Sequence, residues 1–218
     1  MGNFGPCGPD LPTLTAASVG VGFFYLEKIM RTSEGKELTY TVCARLLSRE
    51  WLPVPPTTLS EMRDAAIGLL GIEGIVDIDA RGVIYKWSRP EHKGFTQPDV
   101  IISDVAALFH TAFHPYLATG YCNKLKSCGS YGVKHDIEEV FRKARHTPDS
   151  TLGPYVSNGY GIMGYLHYLL NVRRVPEGKV KTYFAAQYGC GDMPLDFNMN
   201  MRMPECYGRT IEFIHRGH

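Results

Sequence analysis

An α+β fold, mostly antiparallel β-sheet with about three α-helices packed on it, is predicted by three features of the sequence. Leu195, Phe197, Met199, Met201 and Met203 alternate with Asp196, Asn198, Asn200 and Arg202, the period of a strand with one buried face. Apolar residues recur at helical spacing near 58–70, 98–114 and 136–145. The 23 glycines and 14 prolines among 218 residues mark many turns. Hydrophobic residues make up 44% of the chain, enough to fill a core. With 23 Lys and Arg against 22 Asp and Glu, the net charge of +1 excludes the strongly basic surface of a dedicated nucleic-acid binder but allows a local patch. No stretch approaches the roughly 18 uninterrupted apolar residues of a membrane span, so a soluble or peripheral protein is expected.

A Gly- and Pro-rich arm over 1–18, flexible or partner-binding, is expected ahead of a single α+β domain over 19–218. The apolar runs 19–30 and 38–47 flank a polar, Gly-containing link and read as a β-hairpin, with Leu38, Tyr40, Val42, Ala44 and Leu46 on one face. Thr58 and Glu61 have the spacing of a capping box. Leu59, Met62, Ala66 and Leu69 then continue a helix that Gly71 stops. Short strands are expected over 74–79 and 82–87. The stripe Ile101, Val105, Leu108, Phe109 and Ala112 predicts a buried helix over 98–114, ended near Pro115 because proline disfavours helical geometry in the residue before it. A third helix over 136–145 takes Asp136 as N-cap, with Glu138–Arg142 and Glu139–Lys143 pairs on its wet face. The stretch 147–161 reads as a long loop, and strands are expected over 162–175, 180–188, 195–203 and 210–215.

No constellation commits a residue to catalysis, to a cofactor or to a metal. His110 and His114 stand four apart on a helix, as two metal ligands would, but the metalloprotease pattern needs Glu where Thr111 stands. They therefore read as the wet edge of an apolar helix. Cys122, Cys128 and His135 lie close in sequence, yet the gap between the cysteines exceeds zinc-ligand spacing and no second close pair follows. Cys190, in a Gly-rich turn, would be nucleophilic only with a histidine base beside it. All six cysteines are thinly spread and are read as reduced thiols. Phosphate-cradling, dinucleotide and nucleophile-elbow motifs are missing. Gly2-Asn3 suits N-myristoylation after removal of Met1, although Pro6 replaces the usual Ser or Thr, and Gly2 is the candidate lipidation site. The N-terminus carries no basic segment followed by an apolar run, and an intracellular, cytoplasmic protein is expected. Trp51, Trp87, Tyr116, Tyr121, Tyr131, Tyr155 and Tyr160 fall in or next to expected loops, where aromatic side chains favour a surface that meets another protein or a membrane interface.

Two families leave echoes in the sequence. Tyr40-Thr41-Val42 through Thr57-Thr58-Leu59-Ser60-Glu61, then Ser127-Cys128-Gly129-Ser130-Tyr131 with His135, then Glu138-Glu139-Val140-Phe141-Arg142, resemble in this order the matrix proteins of rhabdoviruses. That resemblance implies a compact α+β viral structural protein of the virion, which self-associates and bridges nucleocapsid and membrane. Nucleic acid would then be met only indirectly, through the nucleocapsid. The chain lacks the basic arm and the Pro-Pro-x-Tyr motif common in that family, so membrane attraction must come from local patches or a lipid anchor. Val83 to Pro90, Gly129-Ser130-Tyr131 and the stretch 165–172 are similar to parts of ADP-ribosyltransferase toxins. Lys86 stands where arginine is usual, and Ala185-Ala186-Gln187-Tyr188 lacks the acid that stabilises the sugar cation. Glu205 and Glu212 lie outside that context. Convergence of Tyr131, His110 and Glu212 in space would favour this enzyme alternative, or an inactive relative of the fold. The preferred expectation is a non-enzymatic assembly protein acting through self-association, its aromatic loops and its N-terminal arm.

Overall fold

The computed structural model describes residues 34–87, 91–122, 124–188 and 194–217. The arm over 1–18 with Gly2 and Cys7, the expected strand over 19–30 and the Cys190 turn lie outside the described residues. Leu38–His218 forms one compact unit. Its class is α+β, but among the described residues there are seven α-helices and a five-stranded antiparallel sheet. The helical share exceeds the expected three helices on a mostly β fold.

Helix α1 (34–48) replaces the expected strand over 38–47. Thr39, Val42, Cys43 and Leu46 are buried while Tyr40 is exposed, so burial follows intervals of three and four and overrides the alternation. Helix α2 (Leu59–Leu69) has the expected capping box between Thr58 and Glu61, buries Met62 and Ala66, and stops before Gly71 at φ 63°. Strands β1 (Ile75–Asp79) and β2 (Gly82–Tyr85) pair as a hairpin. Helix α3 (Val100–Ala118) runs through Pro115 and beyond the expected end. The core holds this last turn in place: Tyr116 is fully buried, and its hydroxyl is hydrogen-bonded to Thr39 at 3.0 Å and Thr210 at 3.1 Å. By length and composition α3 could cross a membrane, yet most of it is buried against the rest of the unit.

Strand β3 (Leu125–Gly129) leads directly into helix α4 (Ser130–Lys143), which begins six residues before the expected N-cap Asp136. Glu139 pairs with Lys143 at 3.4 Å as expected, and also with Arg142. Glu138 does not pair with Arg142; it bonds Lys134 at 2.6 Å and His135 at 2.9 Å instead. The expected strand over 162–175 is instead helix α5 (Asn158–His167) followed by a π-helical turn, Tyr168–Val172. Every residue of α5 is buried, which erases any two-faced pattern. Gly164 permits close packing on α3, because a Cβ there would overlap the Val105 side chain. Helix α6 (Glu177–Val180) and a 3₁₀ turn (Lys181–Tyr183) precede strand β4 (Phe184–Tyr188), so the expected 180–188 strand forms only in its second half. Strand β5 (Pro194–Pro204) buries Met199, Met201 and Met203 completely, as their alternation predicts. Helix α7 (Glu205–Arg216) replaces the expected strand over 210–215, with Cys206, Tyr207, Thr210, Ile211 and Ile214 facing inward.

Strand β5 is the hub of the sheet, pairing with β2, β3 and β4 in the order β1-β2-β5-β3 with β4 also on β5. Its Phe197 has a φ of 73°, unusual for a residue with a side chain. Val83 of β2 pairs with Phe197, and Gly82 at φ 133° leaves room that a Cβ would take from the Phe197 carbonyl oxygen. Asn158, the first residue of α5, fixes the junction: its Nδ2 donates to the carbonyls of Arg81 at 2.7 Å and Phe197 at 2.8 Å.

Candidate functional site

Ala80 and Arg81 of the β1–β2 turn, Phe197 and Asn198 of β5 and Asn158 of α5 line a cavity of about 270 Å³, to which the loop over 147–157 contributes Tyr155. The loop is held in shape by its own polar groups. Asp149 accepts hydrogen bonds from the Thr151 amide at 2.7 Å and hydroxyl at 2.6 Å. Gln97 donates to the Tyr155 carbonyl at 2.6 Å and accepts from the Ser157 amide at 3.1 Å, while Glu138 accepts from the Val156 amide at 3.1 Å. These bonds fix the backbone on both sides of Tyr155, whose ring remains 40% exposed. Tyr131, 53% exposed, stands in the first turn of α4, which Ser130 anchors by accepting from the Met199 amide of β5 at 3.1 Å.

Between the two rings sits Lys134, only 5% exposed. Its ammonium lies 5.4 Å from the Tyr131 ring centroid, 4.6 Å from that of Tyr155 and 2.6 Å from Glu138. The burial cost of the charge is thereby offset by a carboxylate and two ring faces. Arg81 lies 4.1 Å above the Phe197 ring and pairs with Asp79 at 2.9 Å. Burial pushes the Asp79 carboxyl up. Hydrogen bonds from the Arg81 side chain and from the Lys93 and Arg81 amides outweigh this and hold it below the usual range. The exposed Lys93 side chain completes the cationic wall, with no carboxylate in ion-pair range among the described residues. The Asn158 Oδ1 atom, also at this cavity, is buried without a hydrogen-bond partner among the described residues.

Tyr155 also borders a second, larger groove of about 740 Å³. Asp136, Glu138 and Glu139 line it beside Leu152 and Pro154, with Arg142 paired to Glu139 and His135 to Glu138. Burial pushes the Asp136 carboxyl above the usual carboxylate range, against the pull of His215 at 4.0 Å. Tyr155 is thus flanked by a cavity carrying Arg81, Lys93 and Lys134 and a groove carrying three carboxylates with Arg142, His135 and His215, and Lys134 of the first is ion-paired with Glu138 of the second.

The remaining sequence candidates are dispersed. His110 and His114 line a separate cavity, their ring centroids 5.1 Å apart. Among the described residues no group of three His, Cys, Asp or Glu side chains is arranged to hold a metal ion. Cys122 accepts a hydrogen bond from the Cys206 amide at 2.9 Å, Cys128 is half-buried in β3, and His135 packs against Tyr131 on α4. Burial pushes the Cys43 thiol up to about 12 and raises Cys128 and Cys206 too, which keeps all three in the unreactive protonated form. Lys86 lies over Trp87 at 5.9 Å and does not line the cavity that Tyr131 lines. Glu212 pairs with Arg216, and Glu205 with Lys126 and Arg209, so Tyr131, His110 and Glu212 share no cavity among those described. Of the loop aromatics, Tyr116 and Tyr160 are core residues, Trp51 stacks on Phe141 and Tyr121 is half-buried beside Tyr116, leaving Trp87, Tyr131 and Tyr155 exposed. Lys134, Arg81, Lys93 and Asn158 were not singled out from sequence. The spacing Tyr131-x-x-Lys134-x-x-x-Glu138 carries the signal for Lys134, once α4 is started at Ser130.

Comparison with protein-family models, with curated proteins and with solved structures finds no match for this chain.

Proposed function

We propose that this protein is a non-enzymatic assembly protein whose copies associate through the face centred on Tyr131 and Tyr155. One observation carries the reading: Tyr155 stands between a cationic cavity and a carboxylate-bearing groove. A twofold interface must be self-complementary. Pairing this face with itself sets the cationic flank of each copy on the acidic flank of the other, around a centre of tyrosines. Tyrosine supplies large contact area at low entropic cost, which suits the middle of an interface. A viral matrix-like role follows from the sequence resemblance. In that role the assembled protein bridges nucleocapsid and membrane in the infected cell's cytoplasm and in the virion. The arm over 1–18 and a lipid on Gly2 are the proposed membrane contacts. The separation of Lys86 from the Tyr131 cavity is why we prefer this reading to a transferase.

Light scattering on the full chain across a range of protein concentrations tests it. The expected result is a mass that rises with concentration, and a Tyr131→Ser/Tyr155→Ser variant that stays monomeric with its fold intact by circular dichroism. A wild-type monomer at every concentration, or a variant that assembles like the wild type, overturns it.

A further inference from the structure

The cavity that holds His110 and His114 shares no lining residue with the proposed assembly face, and its chemistry is different. It has a volume of about 430 Å³, and none of the residues lining it is acidic. Two consecutive arginines, Arg173 and Arg174, line it from the chain that follows the π-helical turn Tyr168–Val172. On a regular helix consecutive side chains diverge by about 100° and do not serve one cavity. Here the widened turn, closed by the Arg173 amide on the Tyr168 carbonyl at 2.9 Å, is followed by Arg174 in the left-handed region at φ 54°. Both guanidinium-bearing residues are thereby delivered to the same space. Left-handed backbone at a non-glycine residue is locally costly, and such strain clusters at functional sites. π-Helical turns do the same.

The two arginines lack carboxylate partners, as Arg45, Arg49, Arg145 and Arg202 do among the described residues, and Arg173 differs from these in its buried Nη1 atom. Arg63, Arg81, Arg142, Arg209 and Arg216 each meet an Asp or Glu. Among the described residues neither Arg173 nor Arg174 has a carboxylate in ion-pair range, and the Arg173 Nη1 atom is buried with no hydrogen-bond acceptor. Arg173 is positioned by the Tyr183 ring, 5.4 Å from its guanidinium carbon. His110 donates through Nδ1 to the Pro53 carbonyl at 3.2 Å, which orients its ring, and His114 stands edge-on to it. Asn171 adds an amide at the rim.

We propose that this cavity binds a phosphate group, the terminal or bridging phosphate of a phosphate ester, held by Arg173 and Arg174, with the exposed His114 at its edge. A planar guanidinium matches two phosphate oxygens at once. Two guanidiniums supply more donors than the two oxygens of one planar carboxylate use in a fork, which suits a tetrahedral oxyanion with three terminal oxygens. The volume accommodates more than a bare phosphate, so part of an attached organic group enters as well.

Calorimetric titration of the full chain with sodium pyrophosphate, and co-sedimentation with phosphatidylcholine vesicles with and without a phosphatidylinositol phosphate, test the proposal. An Arg173→Gln/Arg174→Gln variant is expected to lose about tenfold or more of the affinity. Lys179→Gln, an exposed lysine that lines neither this cavity nor the assembly face, is expected to leave it unchanged. Pyrophosphate binding that the double variant loses identifies a soluble phosphate ester as ligand. Vesicle binding alone, lost in the same variant, identifies a lipid headgroup. Should the double variant fail to fold, the exposed His114→Gln provides the same comparison. Absence of binding to both probes, or equal binding by wild type and variants, overturns the proposal.

Discussion

His167 shows how a single residue sets a pH limit on this fold. It is fully buried at the end of α5, and both ring nitrogens are occupied in the neutral form. Nε2 donates to the Pro55 carbonyl at 2.8 Å, and Nδ1 accepts from the Asn171 amide at 2.7 Å. A second proton would face an N–H donor. Burial holds the imidazole below its ordinary value, despite the Pro55 bond and the Glu61 charge, which act the other way. The unfolded chain therefore binds a proton that the folded chain refuses, and this contribution to stability is lost as pH falls below about 6.5. Urea unfolding of His167→Gln should show a shallower loss of stability between about pH 7 and about pH 5.5 than the wild type. His110, also held down by burial, retains part of the slope. An unchanged slope would remove His167 from this role. At this scale the sequence was legible where partners are local. The Thr58–Glu61 capping box lies within one turn of helix and forms as read. Asn158, Arg81 and Phe197 meet across the whole chain, and no spacing rule reaches that far. For the same reason the exposed Tyr131 and Tyr155 looked no different in sequence from Tyr116 and Tyr160, which long-range packing draws into the core.

Among the elements, α5 decides the arrangement of the rest, since it is buried on every side and begins at the β2–β5 junction. Its approach to α3 depends on Gly164. Gly164→Ala should gain up to about 1 kcal/mol in helix propensity. The collision with Val105 nevertheless makes it a net loss of about 1–3 kcal/mol, measured by urea unfolding. Adding Val105→Ala should cost less in the Gly164→Ala background than alone, and strict additivity of the two changes would contradict this contact. The same burial explains why the sequence misled over 162–175: a helix with no wet face has no period to read. In 38–47 and 210–215 the misreading has another cause. Alternating and helical patterns coexist there, and only packing against α3 and its neighbours selects Thr39, Val42, Cys43 and Leu46 in one and Thr210, Ile211 and Ile214 in the other. Strand β5 was legible because it has one buried face, and its methionines alternate without competition from another period.

At the scale of the whole molecule, the net charge of +1 reflects charges that are largely paired within the chain. Around Tyr155, Lys134 pairs with Glu138, Arg81 with Asp79 and Glu139 with Arg142 and Lys143, which leaves the exposed Lys93 without a carboxylate in ion-pair range among the described residues. The cavity lined by Arg173 and Arg174 shares no lining residue with the cavity and groove beside Tyr155, so the two proposals are tested independently. Self-association through a twofold face is tested most directly by mixing two charge-reversed variants and following mass by light scattering. Lys93→Glu and Glu139→Lys each place like charges together twice in a symmetric pair, so each alone should remain monomeric. Their equimolar mixture restores opposite charges at both contacts and should reach the wild-type dimer mass. If each variant alone assembles as the wild type does, or if the mixture remains monomeric while the wild type assembles, the Tyr131–Tyr155 face is not the site at which two copies meet.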